Sequence, residues 1–291
     1  MSSTSLFNLP ISLIVILLAS VGLIVGLPVL LVGTSVWVST GRASKRGAGD
    51  GTSRAVLRRA RIGRIGGLLV GALMAFLTYI FTNVILAPAF AGVGYLLGIL
   101  VFELRPSIQP VGPIRVASLQ ARNAWQYLSR RVLRTTIVVA FLTVVAPAPF
   151  VLASPSDYRT ELLVQLSVPF AVITAIALAA WVPLMARVAS LPQQATDAGE
   201  SGRAATSRAN AARAVTGAVL GIAIISLSGD ISASSALINH PDGALYIFGR
   251  ILVLLGFGLS IAGIVAWSIL SRWRSAPVEP ADPAPAEPRI A

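Results

Sequence analysis

Apolar and polar positions along this 291-residue chain do not alternate at a helix or strand period; they come in blocks. Residues 11–38, ISLIVILLASVGLIVGLPVLLVGTSVWV, and 68–87, LLVGALMAFLTYIFTNVILA, hold no charge. Between them GRASKRGAGDGTSRAVLRRARIGRIGG (41–67) carries eight basic side chains and one acid, Asp50. A hydrocarbon layer about 30 Å thick takes roughly 20 apolar residues of helix. Apolar blocks recur at about 11–36, 65–86, 89–104, 135–153, 162–186, 213–230 and 246–270, which predicts seven spans. The second and third are parted only by Ala87-Pro88-Ala89. Joined, they would make a helix of roughly 60 Å, too long for a bilayer, so a hairpin is predicted. The sixth span is the weakest, because its charge-free run is short and ends at Asp230.

The predicted fold class is therefore all-α, a polytopic membrane helix bundle over 1–274. Basic cytoplasmic loops are expected at 39–64, 105–134 and 187–213. The Pro/Ala-rich segment 275–291 cannot pack a core and reads as a disordered tail. One polar block has an internal period. In VASLQARNAWQYLSRRVLRTT (116–136), Ala121, Trp125, Leu128 and Val132 share a helical face, and Arg122, Arg130, Arg131 and Arg134 supply cationic reach. This predicts an amphipathic helix on the inner leaflet, or else an ordinary helical loop.

Composition agrees with lipid as the solvent. Charged residues are 12% of the chain, about half the share in soluble domains, and mean hydropathy is +0.81. There is no cysteine, which excludes disulfides and thiolate metal sites, and the single histidine, His240, cannot build a multi-histidine site. Neither cofactor nor metal is expected.

A net charge of +12 would point to nucleic acid in a soluble protein, but its distribution says otherwise. Of 23 basic residues, 21 fall in 39–64, 105–134, 187–213 and the segment after the last span; only Arg159 and Arg250 lie elsewhere. Seven spans with the N-terminus outside and the C-terminus inside put all four basic segments on the cytoplasmic side. MSSTSLFNLP carries no Lys or Arg, so the first span does not read as a cleaved signal peptide. The expected partners are the bilayer and its anionic headgroups, with a protein partner in the membrane, and no nucleic acid: no aromatic residues interleave the basic run. Trp37, Trp267 and Trp273 are predicted at the cytoplasmic headgroup level, and Tyr158 and Tyr246 at the opposite one.

Small residues at a spacing of four (Gly22/Gly26, Gly63/Gly67/Gly71, Gly94/Gly98, Gly217/Gly221) predict close helix contacts within the chain. Pro147, Pro149, Pro169 and Pro183 should kink the fourth and fifth spans. An offset of about 154–155 aligns Ser53-Arg54-Ala55 with Ser207-Arg208-Ala209, Arg59 with Arg213, Gly63 with Gly217 and Gly67 with Gly221. That suggests a 3+1+3 parallel repeat of a kind that occurs in transporters.

Chemistry-bearing groups are few. No HExxH, Walker A or GxGxxG sequence occurs, no paired intramembrane aspartates are present, and no catalytic residues are assigned. Asn83, Gln165, Asp230 and Arg250 fall at one depth, with His240 and Asp242 in the last outer loop. They read either as a polar vestibule open to the outside or as span-end residues snorkelling to water. Glu103 leaves the third span near Arg105 and Arg115, a candidate cytoplasmic ion-pair latch.

The exit VFELRPS followed by PIRVASLQARNAWQYLSRRVLR supplies Glu103, Leu104, Pro106, Arg115, Ala117, Ser118, Leu119, Tyr127, Arg130 and Arg131. Over these 30 or so residues the chain resembles a group of uncharacterised actinobacterial multi-pass integral membrane proteins. That resemblance implies a membrane bundle and carries no activity. The function expected is a non-enzymatic component of the cytoplasmic membrane that docks a partner or anionic lipid through its basic inner face. The alternative is a small-solute transporter or channel using the polar outer vestibule.

Overall fold

The computed structural model describes residues 11–46, 51–82, 87–104, 124–148, 158–190, 198–238, 244–272 and 274. Among these the chain forms seven α-helices and no strand: α1 (Ile11–Arg46), α2 (Gly51–Thr82), α3 (Ala87–Gly98), α4 (Arg130–Val145), α5 (Tyr158–Ser190), α6 (Ala198–Ile238) and α7 (Ala244–Ser271). Stretches within α2, α5, α6 and α7 are each long and apolar enough to cross a membrane: Arg54–Thr78, Ser167–Ser190, Thr206–Ser235 and Tyr246–Ser271. The apolar stretch Ala89–Glu103 is shorter.

The helices pack around α6, which touches α3, α4, α5 and α7. Its side chains explain why it takes the centre. Ala211, Ala212, Ala214, Val215, Ala218, Val219, Ile222 and Ala223 are at most 1% exposed, and Gly217 and Gly221 receive Leu270 and Trp267 of α7. Small side chains let neighbouring backbones close in, and in lipid that packing drives association. On α2, α4 and α7 the large apolar side chains face outward: Leu69, Leu73, Phe141, Ile247, Leu254 and Phe257 are all exposed. Apolar outside with hydroxyls buried inside is the arrangement expected of a bundle solvated by hydrocarbon.

The hairpin of α2 and α3 forms through glycine, as the spacing predicts. A Cβ on Gly98 would lie 2.0 Å from the Gly63 carbonyl oxygen, and one on Gly67 2.3 Å from that of Gly94. The second hairpin, α6 and α7, uses Gly217 and Gly221 in the same way. Ala87-Pro88-Ala89 is not a turn but the start of α3, with Pro88 its second residue. Proline fits there because its missing N–H would have had no helical acceptor.

Four other expectations need correction. Of segment 116–136, residues 116–123 lie outside the described residues, and the rest is not one helix: Ala124–Tyr127 is a single 3₁₀ turn, and Ser129 caps α4 by accepting from the Val132 N–H. Trp125 is half-buried against the core; its ring meets Trp181 edge-on with centroids 5.0 Å apart. Trp267 is fully buried rather than interfacial. The sixth helix does not end at Asp230 but runs eight residues further, with the Ser234 hydroxyl bonded to the Asp230 carbonyl. The basic segments 39–64 and 187–213 are largely extensions of α1, α2, α5 and α6, in keeping with the helix propensity of Arg and Ala. Gly22, Trp273, His240, Asp242 and the tail 275–291 lie outside the residues whose side chains are described.

Gly98→Ala should cost about 1–3 kcal/mol through overpacking. It should lower the melting temperature of the detergent-solubilised protein. Gly66→Ala meets nothing within 4 Å and should leave that temperature unchanged or slightly raised.

Candidate functional site: a buried ion pair at the basic end of the bundle

Glu103 is placed by the way α3 ends. The helix passes at Gly98 into one π turn, Ile99–Glu103, closed by the Leu104 N–H donating to the Ile99 carbonyl at 3.0 Å. A π turn is wider than an α turn, so each residue advances less around the axis. That lag swings Glu103 back toward the face that carries Tyr95.

Its partner comes from α2. The Arg64 Nε donates to Glu103 Oε2 at 2.9 Å and Nη2 to Oε1 at 2.7 Å, a two-point fork. The third nitrogen, Nη1, donates at 3.0 Å to the backbone carbonyl of Ser271, in the last turn of α7. Exposures of the Arg64 and Glu103 side chains are 0% and 5%. Removing two charges from water costs several kcal/mol per ion, and only a satisfied geometry offsets it. Here the fork neutralises the charge, and a helix-terminal carbonyl, which has no partner within its own helix, accepts from the third nitrogen. Tyr95 stands against the pair and meets Trp267 edge-on, with centroids 5.1 Å apart and planes at 87°. One guanidinium thus ties α2, α3 and α7 together.

The same end gathers the other helix termini. Arg61 of α2 lies over the Trp37 ring of α1, 4.3 Å from its centroid, and its Nε donates to Thr40 Oγ1 at 3.0 Å. The Asn210 amide of α6 exchanges two 2.8 Å hydrogen bonds with the Arg274 backbone beyond α7. The Trp181 Nε1 of α5 donates to Thr216 Oγ1 of α6 at 3.1 Å, and Trp125, just ahead of α4, packs on Trp181. These contacts bring the basic segments to one end. Arg42, Arg54, Arg58, Arg59, Arg130, Arg131, Arg134, Arg187, Arg272 and Arg274 are exposed there. Arg54, Arg58, Arg59 and Ile62 line a shallow, open groove of about 500 Å³ on α2.

The residues singled out from the sequence are distributed as follows. Glu103 joins an ion pair, but with Arg64; Arg105 and Arg115 lie outside the described residues, as does Asn83. Gln165 is exposed and donates to Glu161 on its own helix at 3.3 Å. Arg250 is exposed and bonded to the Tyr246 hydroxyl, also on its own helix. Asp230 is buried inside the bundle. Among the described residues no hydrogen bond or ion pair joins Gln165, Asp230 and Arg250. Arg64 was legible only as one more basic residue. The signal that could have marked it is its place on the face of Gly67 and Gly71, at i, i+3 and i+7, which turns toward α3.

No family model matches the chain, and neither a curated protein nor a solved structure resembles it significantly.

Removing one partner should be far worse than removing both. Glu103→Gln strands the guanidinium and should cost about 3–5 kcal/mol, whereas the double variant Arg64→Met/Glu103→Met should cost clearly less than the single variants summed. Arg64→Lys cannot form the fork and should not restore stability. Denaturant titration in mixed micelles checks all three.

Proposed function

We propose that the chain is a non-enzymatic, multi-pass component of the cytoplasmic membrane. In this reading its basic end faces the cytoplasm and docks anionic lipid headgroups, or a membrane partner that carries similar acidic chemistry. The observation that carries the reading is the collection of exposed arginines at one end of an otherwise apolar-faced bundle. Lipid is favoured as the ligand by continuity on α2. Arg54 and Arg58 share a helical face with Ile62, Leu69 and Leu73, so a headgroup held by the arginines would leave its acyl chain along exposed apolar side chains.

Seven spans, with the N-terminus outside and the C-terminus inside, is the topology that puts every basic segment on the cytoplasmic side. Support for the internal repeat comes from Gly63/Gly67 and Gly217/Gly221, each pair seating the next helix of its hairpin. The transporter alternative draws nothing from Gln165 or Arg250, both of which face outward and bond within their own helices.

Each basic residue near an anionic surface contributes about 1 kcal/mol, so Arg54→Gln/Arg58→Gln/Arg59→Gln together should weaken retention of phosphatidylglycerol by about two orders of magnitude. Native mass spectrometry from mixed phosphatidylglycerol–phosphatidylcholine micelles measures this directly. Equal retention of both lipids by the unmodified protein would refute the lipid reading. A protein companion recovered from native membranes and lost in the triple variant would move the docking role to that partner.

A further inference from the structure

We infer that Asp230 is a binding site for one positive charge, a proton or an alkali cation, at the seam of α5 and α6. It does not rest on the docking reading. Asp230 is 6% exposed, and neither of its carboxylate oxygens accepts a hydrogen bond of normal geometry. The side chain that approaches it from α5 is Ser167, 3% exposed.

The seam's register places further oxygens along it. Trp181 bonds Thr216 toward the basic end, and the Phe170 ring lies against Gly229 toward the other. The two helices therefore run antiparallel, with Ser167 opposite Asp230 and Thr174 opposite Ala223. Ser226 precedes Asp230 by one turn, on the same face of α6. Thr174 Oγ1 and Ser226 Oγ are buried and, like the carboxylate, have no hydrogen-bond partner. Beside Asp230, at the end of the seam away from the basic segments, the described polar atoms without partners are oxygens.

Among the described residues no counter-charge faces the carboxylate from the neighbouring helices. On α5, Glu161 is exposed and bonded to Gln165; on α7, Arg250 and Tyr246 are exposed and bonded to each other. On α3, Tyr95 and Glu103 belong to the Arg64 cluster, and on α4, Arg130, Arg131 and Arg134 lie at the basic end. An unpaired charge in such a setting costs several kcal/mol, so the carboxylate has to be neutralised. Divalent cations collect several carboxylates and a dense oxygen shell, whereas one carboxylate among hydroxyls matches a single positive charge. Asp230 then carries either a proton or an alkali ion, and the hydroxyls of Ser167 and Ser226 are the oxygens within its reach.

Dicyclohexylcarbodiimide tests this on the full-length protein in detergent, because it adds to protonated carboxyls in apolar surroundings. An adduct is expected on the peptide containing Asp230 and absent from Asp230→Asn. Above the midpoint of labelling it should fall about tenfold per pH unit. At fixed pH, suppression by sodium chloride but not by choline chloride identifies an alkali cation as the occupant. No effect of sodium identifies the proton. An Asp230 that stays unlabelled down to about pH 5, or an adduct indifferent to pH, overturns the inference. Should Asp230→Asn fail to fold, Ser167→Ala keeps the carboxyl and should shift the pH at which labelling declines; an unshifted profile counts against the site.

Discussion

The Arg64–Glu103 pair is the interaction on which the shape of this bundle most depends. A fully buried guanidinium is admissible only where its charge is paired and its nitrogens find acceptors, and here three helices arrive together to supply them. Glycine makes the approach possible. Gly63, beside the arginine, sits so close to Gly98 that no side chain fits between the two backbones. The π turn after Gly98 then aims Glu103 back across that contact, and the last turn of α7 offers the Ser271 carbonyl. Packing, backbone geometry and electrostatics therefore specify one another at this end, which makes the pair a device for register as much as for stability.

The rest of the interior follows from the same constraint. In hydrocarbon an unmet polar group has no water to turn to, so hydroxyls bond back to their own helix or across a seam. Thr40, Thr136 and Ser234 do the first, while Thr143 reaches the Ala223 carbonyl and Ser35 that of Ser268. Asp230 departs from this pattern, because it is buried without the partners that satisfy Glu103. The two carboxylates illustrate two ways to hold an acid inside a bundle. One is locked by a fixed arginine as a structural element, and the other is left to a mobile positive charge.

The sequence was informative where lipid leaves a mark on composition. Charge-free blocks located the helices, the Ala87-Pro88-Ala89 break foretold a hairpin, and the glycine spacing named its contacts. Which side chains face inward was far less legible, for a physical reason. In a soluble helix the buried face is apolar and the exposed face polar, but in lipid both are apolar, so periodicity is nearly silent. Trp267 was read at the headgroup level and Trp125 on the apolar face of a leaflet-lying helix, yet their rings pack on Tyr95 and Trp181. Asp230 read as the end of a span because charge usually ends one; the Ala/Gly-packed centre allows α6 to run past it. The partner of Glu103 lay 39 positions away, beyond any local pattern.

Lipid around this bundle, with the arginine-rich end inside the cell, is open to a direct test. The chain has no cysteine, so single cysteines report without background. Arg58→Cys and Tyr246→Cys place exposed thiols at the two opposite ends. Treated with a membrane-impermeant maleimide, intact cells should label the thiol at position 246 at once and the thiol at position 58 only after permeabilisation. Labelling of position 58 in intact cells would mean that the basic end faces outward and cannot dock at the cytoplasmic surface.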